Sequence, residues 1–202
     1  MATSELAPDA RTRILDTAWR LIGERQDAAV SLLEIARAAG VSRQTVYVHF
    51  GSRAGLLLAM VEHRDGTSPE LARLRRVRQD LPPVEALEAA VRAWFKYVPV
   101  VFNVAHALQA AAATDADARQ AWESRMRLLR GGLLAVMQRL HADGRLARGW
   151  SPEAATDWCY HLVHIDSWQH LVVERHWKPA DLVQRTVSTL LAALTRPQGP
   201  TT

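Results

Sequence analysis

Residues 42–50 read Ser-Arg-Gln-Thr-Val-Tyr-Val-His-Phe, and their chemistry depends on which of them share a face. On a helix, Arg43, Gln44 and Tyr47 fall together, Thr45 and His49 lie on the flank, and Val46 and Phe50, four apart, point the other way. A guanidinium and a carboxamide can each make paired hydrogen bonds to a base edge, whereas Ser, Thr, Tyr and His side chains suit phosphate oxygens. The N-terminal ends of two short helices, behind Ser31 and Ser42, would turn unsatisfied N–H groups outward, where a phosphate is readily held. This is the chemistry of nucleic-acid recognition. The plainer alternative is a helical hairpin packed on its own core with a polar outer face.

The elements that must position these groups are written around them. Pro8 and Asp9 precede a stripe of Ile14, Leu15, Ala18, Leu21 and Ile22, which predicts a helix to about Arg25. Ser31 followed by Glu34 fits a capping box opening a helix over 32–39, and Gly40 supplies the left-handed residue that ends it. Ser42 caps the helix 43–50, and Gly51-Ser52 leads into a fourth helix to about Arg64. Ile35, Ala36, Ala39 and Val41 supply the small and apolar atoms on which the helix 43–50 would seat. Two short helices joined by a glycine turn and braced by a longer one form a helix-turn-helix.

Beyond this point apolar spacings of three and four persist, with no sustained strand alternation, and the fold class is all-α. Residues 65–69 are expected to form a loop between two regions, 1–65 and 66–202. Pro82-Pro83 introduces a helix carrying Val84, Leu87, Val91, Trp94 and Val98, which Pro99 is expected to stop. Trp122, Met126, Leu129, Leu133, Val136 and Leu140 define another, with Gly131-Gly132 in its middle, where a kink or a close backbone approach would explain two unfavourable glycines. Ser151-Pro152-Glu153 opens a further helix and Lys178-Pro179 the last; the tail beyond Arg196 is expected to fray.

Composition narrows the class. The chain has 202 residues, 49% of them hydrophobic and 23% charged, enough to bury a core. The single cysteine, Cys159, excludes a disulfide scaffold and fits a reducing cytoplasm. Neither a signal peptide nor a membrane span is expected: no charged region precedes an apolar stretch, since residues 1–9 hold Ser, Glu, Pro and Asp, and the most apolar run, 98–113, is interrupted by Pro99, Asn103, His106 and Gln109. Net charge is +4, and of 25 basic residues only Lys96 and Lys178 are lysines. That bias suits phosphate or carboxylate recognition, or simply a genome rich in G and C. P-loop, dinucleotide-fingerprint, H-E-x-x-H and G-x-S-x-G motifs are absent from the sequence, which argues against an enzyme.

Three further sets of residues could do something specific. Trp94, Phe95, Phe102, Trp122 and Trp158 fall on helices that could converge, with His106, Arg125 and His161 as polar anchors of a ligand site; the same aromatics could equally fill the core. Val183, Val187, Leu190, Leu191 and Leu194, with Trp168, Leu171 and Val172, offer apolar faces that could pair two copies or be buried within one. His161, His164 and His170, with Cys159 and Asp166 nearby, suggest a metal, but on one continuous helix His170 points away from His161, so no metal site is expected. Trp150 and Trp177, beside helix breaks, are expected to be packing plugs.

From Ile14 to Leu57 the chain resembles the DNA-binding domain of TetR-type transcriptional repressors. The stretches that carry the resemblance are RILDTAWRLIGER, SLLEIARAAGVSRQTVYVHFGSR and AGLLLAMV, and the run Thr45 to Phe50 is the most specific. The resemblance implies phosphate contacts from Ser31, Ser42, Thr45, Tyr47, His49 and Arg53, and base-edge contacts chiefly from Arg43 and Gln44. It also implies a second region that binds a small effector and dimerises through its last two helices. Gln26, Gly51 and Gly55 depart from the family pattern, at the turn after the first helix, at a common lysine, and at an acidic helix former. The expected function is therefore a homodimeric, ligand-released repressor of a palindromic operator on double-stranded DNA, in the cytoplasm and without a cofactor. The alternatives are a helical small-molecule carrier that no longer binds DNA and a helical-bundle enzyme.

Overall fold

The computed structural model describes residues 9–25 and 30–196. Gln26 and the tail beyond Arg196, on which two of the expectations above fall, lie outside them. Regular structure among the described residues is helical, apart from one isolated antiparallel bridge between Leu146 and Thr195. The chain divides into two compact units: residues 1–67 with 101–123, and residues 68–100 with 124–202.

The first unit begins with α1 (Ala10–Arg25), whose first turn is capped by Asp9, its carboxylate accepting from the Thr12 N–H at 2.7 Å. That bond holds the Asp9 carboxyl below its usual range. Helices α2 (Leu32–Ala38), α3 (Arg43–Phe50) and α4 (Arg53–Thr67) follow, and α1 packs on α2 and α4. The core gathers Ile14, Leu15, Ala18 and Ile22 of α1 with Ile35, Val46, Leu57 and Met60. Arg64 lies over the Trp19 ring at 4.5 Å, joining α1 to α4 on the outside. Val104, Leu108, Ala118 and Ala121 complete the same core. They come from the far end of α6 (Pro83–Ala111) and the start of α7 (Ala116–Ala142), so both long helices contribute to both units.

In the second unit, α5 (Pro69–Asp80) precedes the first part of α6. The rest of α7, α8 (Pro152–Val163), α9 (Ile165–Trp168), a π-helical segment (Gln169–Glu174) and α10 (Pro179–Leu194) complete it. Leu87, Val91, Leu133, Val136, Leu140 and Leu190 are among its buried side chains. Arg139 of α7 closes the C-terminal end of α5, donating to the carbonyls of Arg78 and of Leu81, the latter at 2.7 Å.

Four expectations need correcting. The loop at 65–69 shrinks to Ser68, because α4 continues to Thr67 and the Ser68 hydroxyl caps α5, accepting from the Leu71 N–H at 3.2 Å with Pro69 in the first turn. Pro99 does not stop α6. The helix runs through it, since Pro99 and Val100 face solvent while Val98, Val101 and Phe102 are buried on either side; burial on both flanks outweighs a proline cost of about 3 kcal/mol. The helix after Ser151 is not continuous either. His164 adopts an extended ψ of 150°, and its Nδ1 lies 3.0 Å from Asp166, so α8 ends and α9 restarts there. Trp177 is no plug: it is 38% exposed, with Arg185 over its ring at 5.6 Å.

The glycine pair resolves into two different positions. A Cβ on Gly131 would meet open space, whereas one on Gly132 would fall 2.0 Å from Nη1 of Arg78. The close approach is therefore made by a side chain of α5, at Gly132 alone.

Candidate nucleic-acid interface

The turn between α2 and α3 is fixed by hydrogen bonds before any ligand is considered. Gly40 takes φ +66°, its N–H donates to the Arg37 carbonyl at 3.2 Å, and Val41 N–H donates to the Ala36 carbonyl at 3.0 Å. This paired closure satisfies two carbonyls at the end of α2 and needs the left-handed residue that glycine adopts without strain. At the start of α2, Ser31 and Glu34 form the full capping box: Ser31 Oγ accepts from Glu34 N–H at 3.2 Å, and Glu34 accepts from Ser31 N–H at 2.9 Å. Ser42 repeats half of that arrangement, accepting from Thr45 N–H at 3.0 Å, and its hydroxyl lies 2.8 Å from that of Thr45.

Helix α3 is then oriented by what it buries. Val46 is fully buried and Phe50 nearly so, which seats the helix on the core and leaves Arg43, Gln44, Tyr47, Val48 and His49 exposed, with Thr45 half-buried. Arg43 donates to the Tyr47 hydroxyl at 3.2 Å, and its guanidinium lies 5.3 Å from the Tyr47 ring centroid. That contact holds two long side chains of the face together and lowers the rotamer entropy that binding must remove. The face carries a guanidinium, a carboxamide, a phenol and an imidazole. It can donate to and accept from base edges, and it can donate to phosphate oxygens.

Arg53 occupies a different setting. It is half-buried and donates through Nη1 to the Val30 carbonyl, tying the start of α4 to the residue before the α2 cap. Gly55, which departs from the family pattern, passes the end of α3 so closely that a Cβ would lie 2.0 Å from the Phe50 carbonyl oxygen. Gly51 ends α3 at φ +70°, a conformation that a lysine at this position would adopt only with strain.

The residues considered for a ligand site divide between the units. Phe102, His106 and Trp122 belong to the first, where Phe102 and His106 stack with centroids 5.6 Å apart and Trp122 packs on the core. Trp94, Phe95, Arg125, Trp158 and His161 belong to the second. There, Trp94 donates its indole N–H to the Val163 carbonyl at 2.7 Å, and Phe95 stacks on Trp168. Trp158, 41% exposed, lies beside His161 and Trp150.

Of the residues considered for dimerisation, Trp168, Val187, Leu190 and Leu194 are buried within the chain itself, while Leu171, Val172, Val183 and Leu191 are half-buried. Among the histidines, His164 pairs with Asp166, and His170 with Glu174 at 3.1 Å. No three His, Cys, Asp or Glu side chains among the described residues are grouped to hold a metal ion. No helix of the described residues is long and apolar enough to cross a membrane. Reading the sequence missed two features of these units: the share of residues 101–123 in the first, and Arg78 in the second. The first left a signal in the apolar spacing Val104-Leu108 beyond Pro99; the second left none besides Gly132.

Residues 14–60 match the family described as bacterial regulatory proteins, tetR family. The HTH-type transcriptional regulator YerO of Bacillus subtilis is 33% identical over 91 residues, covering 44% of this chain and 31% of the relative. The chain thus matches about a third of that relative's length. The HTH-type transcriptional regulator BetI of Rhizobium meliloti is 29% identical over 138 residues, 67% of this chain and 68% of the relative. Among solved structures, a putative transcriptional regulator from Saccharomonospora viridis in complex with choline superposes with a TM-score of 0.77 at 19% identity, covering 93% of this chain and 98% of that one. The head supplies the family's helix-turn-helix, and the likeness to the solved structure extends the fold over the remaining helices. Residues 14–60 carry the helix-turn-helix domain of the tetR family of bacterial regulatory proteins.

Proposed function

We propose that this protein is a repressor that binds a palindromic operator as a homodimer and is released by a small-molecule effector. Residues 1–65 would contact DNA and 66–202 would bind the effector and form the dimer. The observation that carries the reading is the outward face of α3: Arg43, Gln44 and Tyr47 exposed together on a helix whose opposite face, Val46 and Phe50, is buried. Arg43 and Gln44 would read base edges in the major groove; Ser31, Ser42, Thr45, Tyr47, His49 and Arg53 would hold phosphates. One eight-residue helix spans few base pairs, so selectivity calls for a second copy on the next half-site, one helical turn away.

The dimer would use what the chain leaves half-buried on its last elements, Leu171, Val172, Val183 and Leu191. Effector release needs two states of different DNA affinity, with the ligand bound more tightly to the one that fits the operator less well. Helices α6 and α7 contribute residues to both units, so a displacement of either is carried along continuous backbone. The test is selection of duplexes from a random pool, with and without candidate effectors. Enrichment of an inverted repeat with half-sites about one turn apart supports the reading. Retention without sequence preference refutes it, and no retention at all refutes it in favour of a helical carrier.

A further inference from the structure

Val48 is the one outward residue of α3 to which the reading above gives no role, and it is 77% exposed, more than any other large hydrophobic side chain among the described residues. Its direction follows from helix geometry. At about 100° per residue, Val48 lies about 180° from the bisector of Val46 and Phe50, the two side chains that seat α3 on the core. Turning that buried pair inward therefore sets Val48 at the middle of the outward face. Gln44, exposed and one turn earlier, is its neighbour there, as Arg43 is of Tyr47.

Nothing within the chain favours a valine at this position. A β-branched side chain gives up χ1 freedom in a helix, and an exposed one gains no burial in return. A lone exposed valine on an ordinary surface needs no explanation, but this one is not alone. Among the described residues of the first unit, the exposed large hydrophobics are Leu33, Tyr47 and Val48, and all three lie on α2 and α3. The large apolar side chains that this unit exposes are thus gathered on the two helices that would face DNA.

With α3 in a major groove, the residue at the centre of its outward face is the one aimed at the base edges. Those edges present hydrogen-bond donors and acceptors, which suit Gln44, and one apolar group, the C5-methyl of thymine. The γ-methyls of a valine would leave a donor or acceptor unsatisfied, whereas against a thymine methyl both surfaces leave water. We propose that Val48 is a specificity-determining residue that packs on a thymine C5-methyl in each half-site, close to the base that Gln44 reads. The inference rests on the operator-binding reading above and adds to it the identity of one base.

The operator enriched by duplex selection supplies the test. Each of its thymines is replaced by uracil, symmetrically in both half-sites, which removes the methyl and keeps the base pairing. Fluorescence-anisotropy titration of the full chain at fixed salt should find one symmetric position where this weakens binding by about tenfold, from about fourfold for each buried methyl. Val48→Ala should weaken the thymine operator to a similar extent and lose its sensitivity to uracil at that position. Its binding to a scrambled duplex should stay at the parent's level. Val48→Thr, which keeps one γ-methyl, should fall between the two. Because Val48 is exposed, neither variant should melt below the parent; a lower melting temperature for Val48→Ala would mean that the side chain serves the fold, and overturns the proposal. So does a half-site without an enriched thymine, a uracil scan without effect, a uracil penalty that persists undiminished in Val48→Ala, or equal losses on operator and scrambled duplexes. If selection enriches no sequence, the repressor reading fails and this inference with it. Selective binding combined with any of the overturning results removes this inference alone.

Discussion

Glycine-to-alanine changes inside helices usually stabilise, by about 0.4–1 kcal/mol, because the unfolded chain loses freedom. Gly55 and Gly131 both lie within helices, yet they should respond with opposite signs. At Gly131 a Cβ meets nothing within 4 Å on an exposed face of α7, so Gly131→Ala should gain about 1 kcal/mol. At Gly55 the new atom would sit 2.0 Å from the Phe50 carbonyl oxygen and 3.2 Å from its carbon. Both are backbone atoms, so no side-chain rotation can relieve the clash. Restoring an ordinary contact of about 3.4 Å means moving the start of α4 away from the end of α3 by more than an ångström. That shift also disturbs the Arg53 bond to Val30 and the Gly55 N–H bond to Ser52 at 3.0 Å. Overpacking of this kind costs about 1–3 kcal/mol, so Gly55→Ala should be destabilised by about 1–2 kcal/mol net after its propensity gain. Urea denaturation, followed by far-ultraviolet circular dichroism, measures both variants against the parent. A Gly55→Ala protein as stable as Gly131→Ala would refute the close approach and the account of α4 built on it.

The head was legible in the sequence because its signals are local and mutually consistent. Ser31 with Glu34, Gly40, and Ser42 each specify a cap or a turn within a few residues, and Val46 with Phe50 orients α3 by spacing alone. Where the reading went astray, distant packing overrode a local rule. Pro99 reads as a stop, but the buried side chains on both flanks keep α6 going. Ser68-Pro69 reads as part of a loop because a serine followed by a proline is also how a helix begins. The stripe on α10 was open between two partners: Val187, Leu190 and Leu194 turned out to be covered by the chain itself. Arg78 lay beyond reach, since neither periodicity nor motif says that an arginine on α5 meets a glycine on α7.

The remaining predictions concern the recognition face and the buried thiol. Ser42→Ala removes the cap on Thr45 N–H and should cost about 1 kcal/mol, read by urea denaturation, with weaker DNA binding to match. Arg43→Ala should cost about 1–3 kcal/mol on the selected operator and relax base preference. Arg53→Ala should weaken operator and scrambled duplexes alike and shallow the salt slope; equal losses on both duplexes for Arg43→Ala in a mobility-shift titration would contradict its base-reading role. Cys159 is fully buried, and that burial raises its thiol from 9.0 to about 12. Since the thiolate is the reactive form, iodoacetamide should label Cys159 only when the chain is unfolded in urea. The same shift has a pH consequence with a definite sign. Between pH 9.0 and about 12 the unfolded thiol has released its proton while the folded one retains it. The folded state then binds more protons, so this residue's contribution is level below that window and falls as pH rises through it. Replacing Cys159 with Ala should flatten the alkaline decline in stability; an unchanged decline would mean that the thiol meets water in the native state.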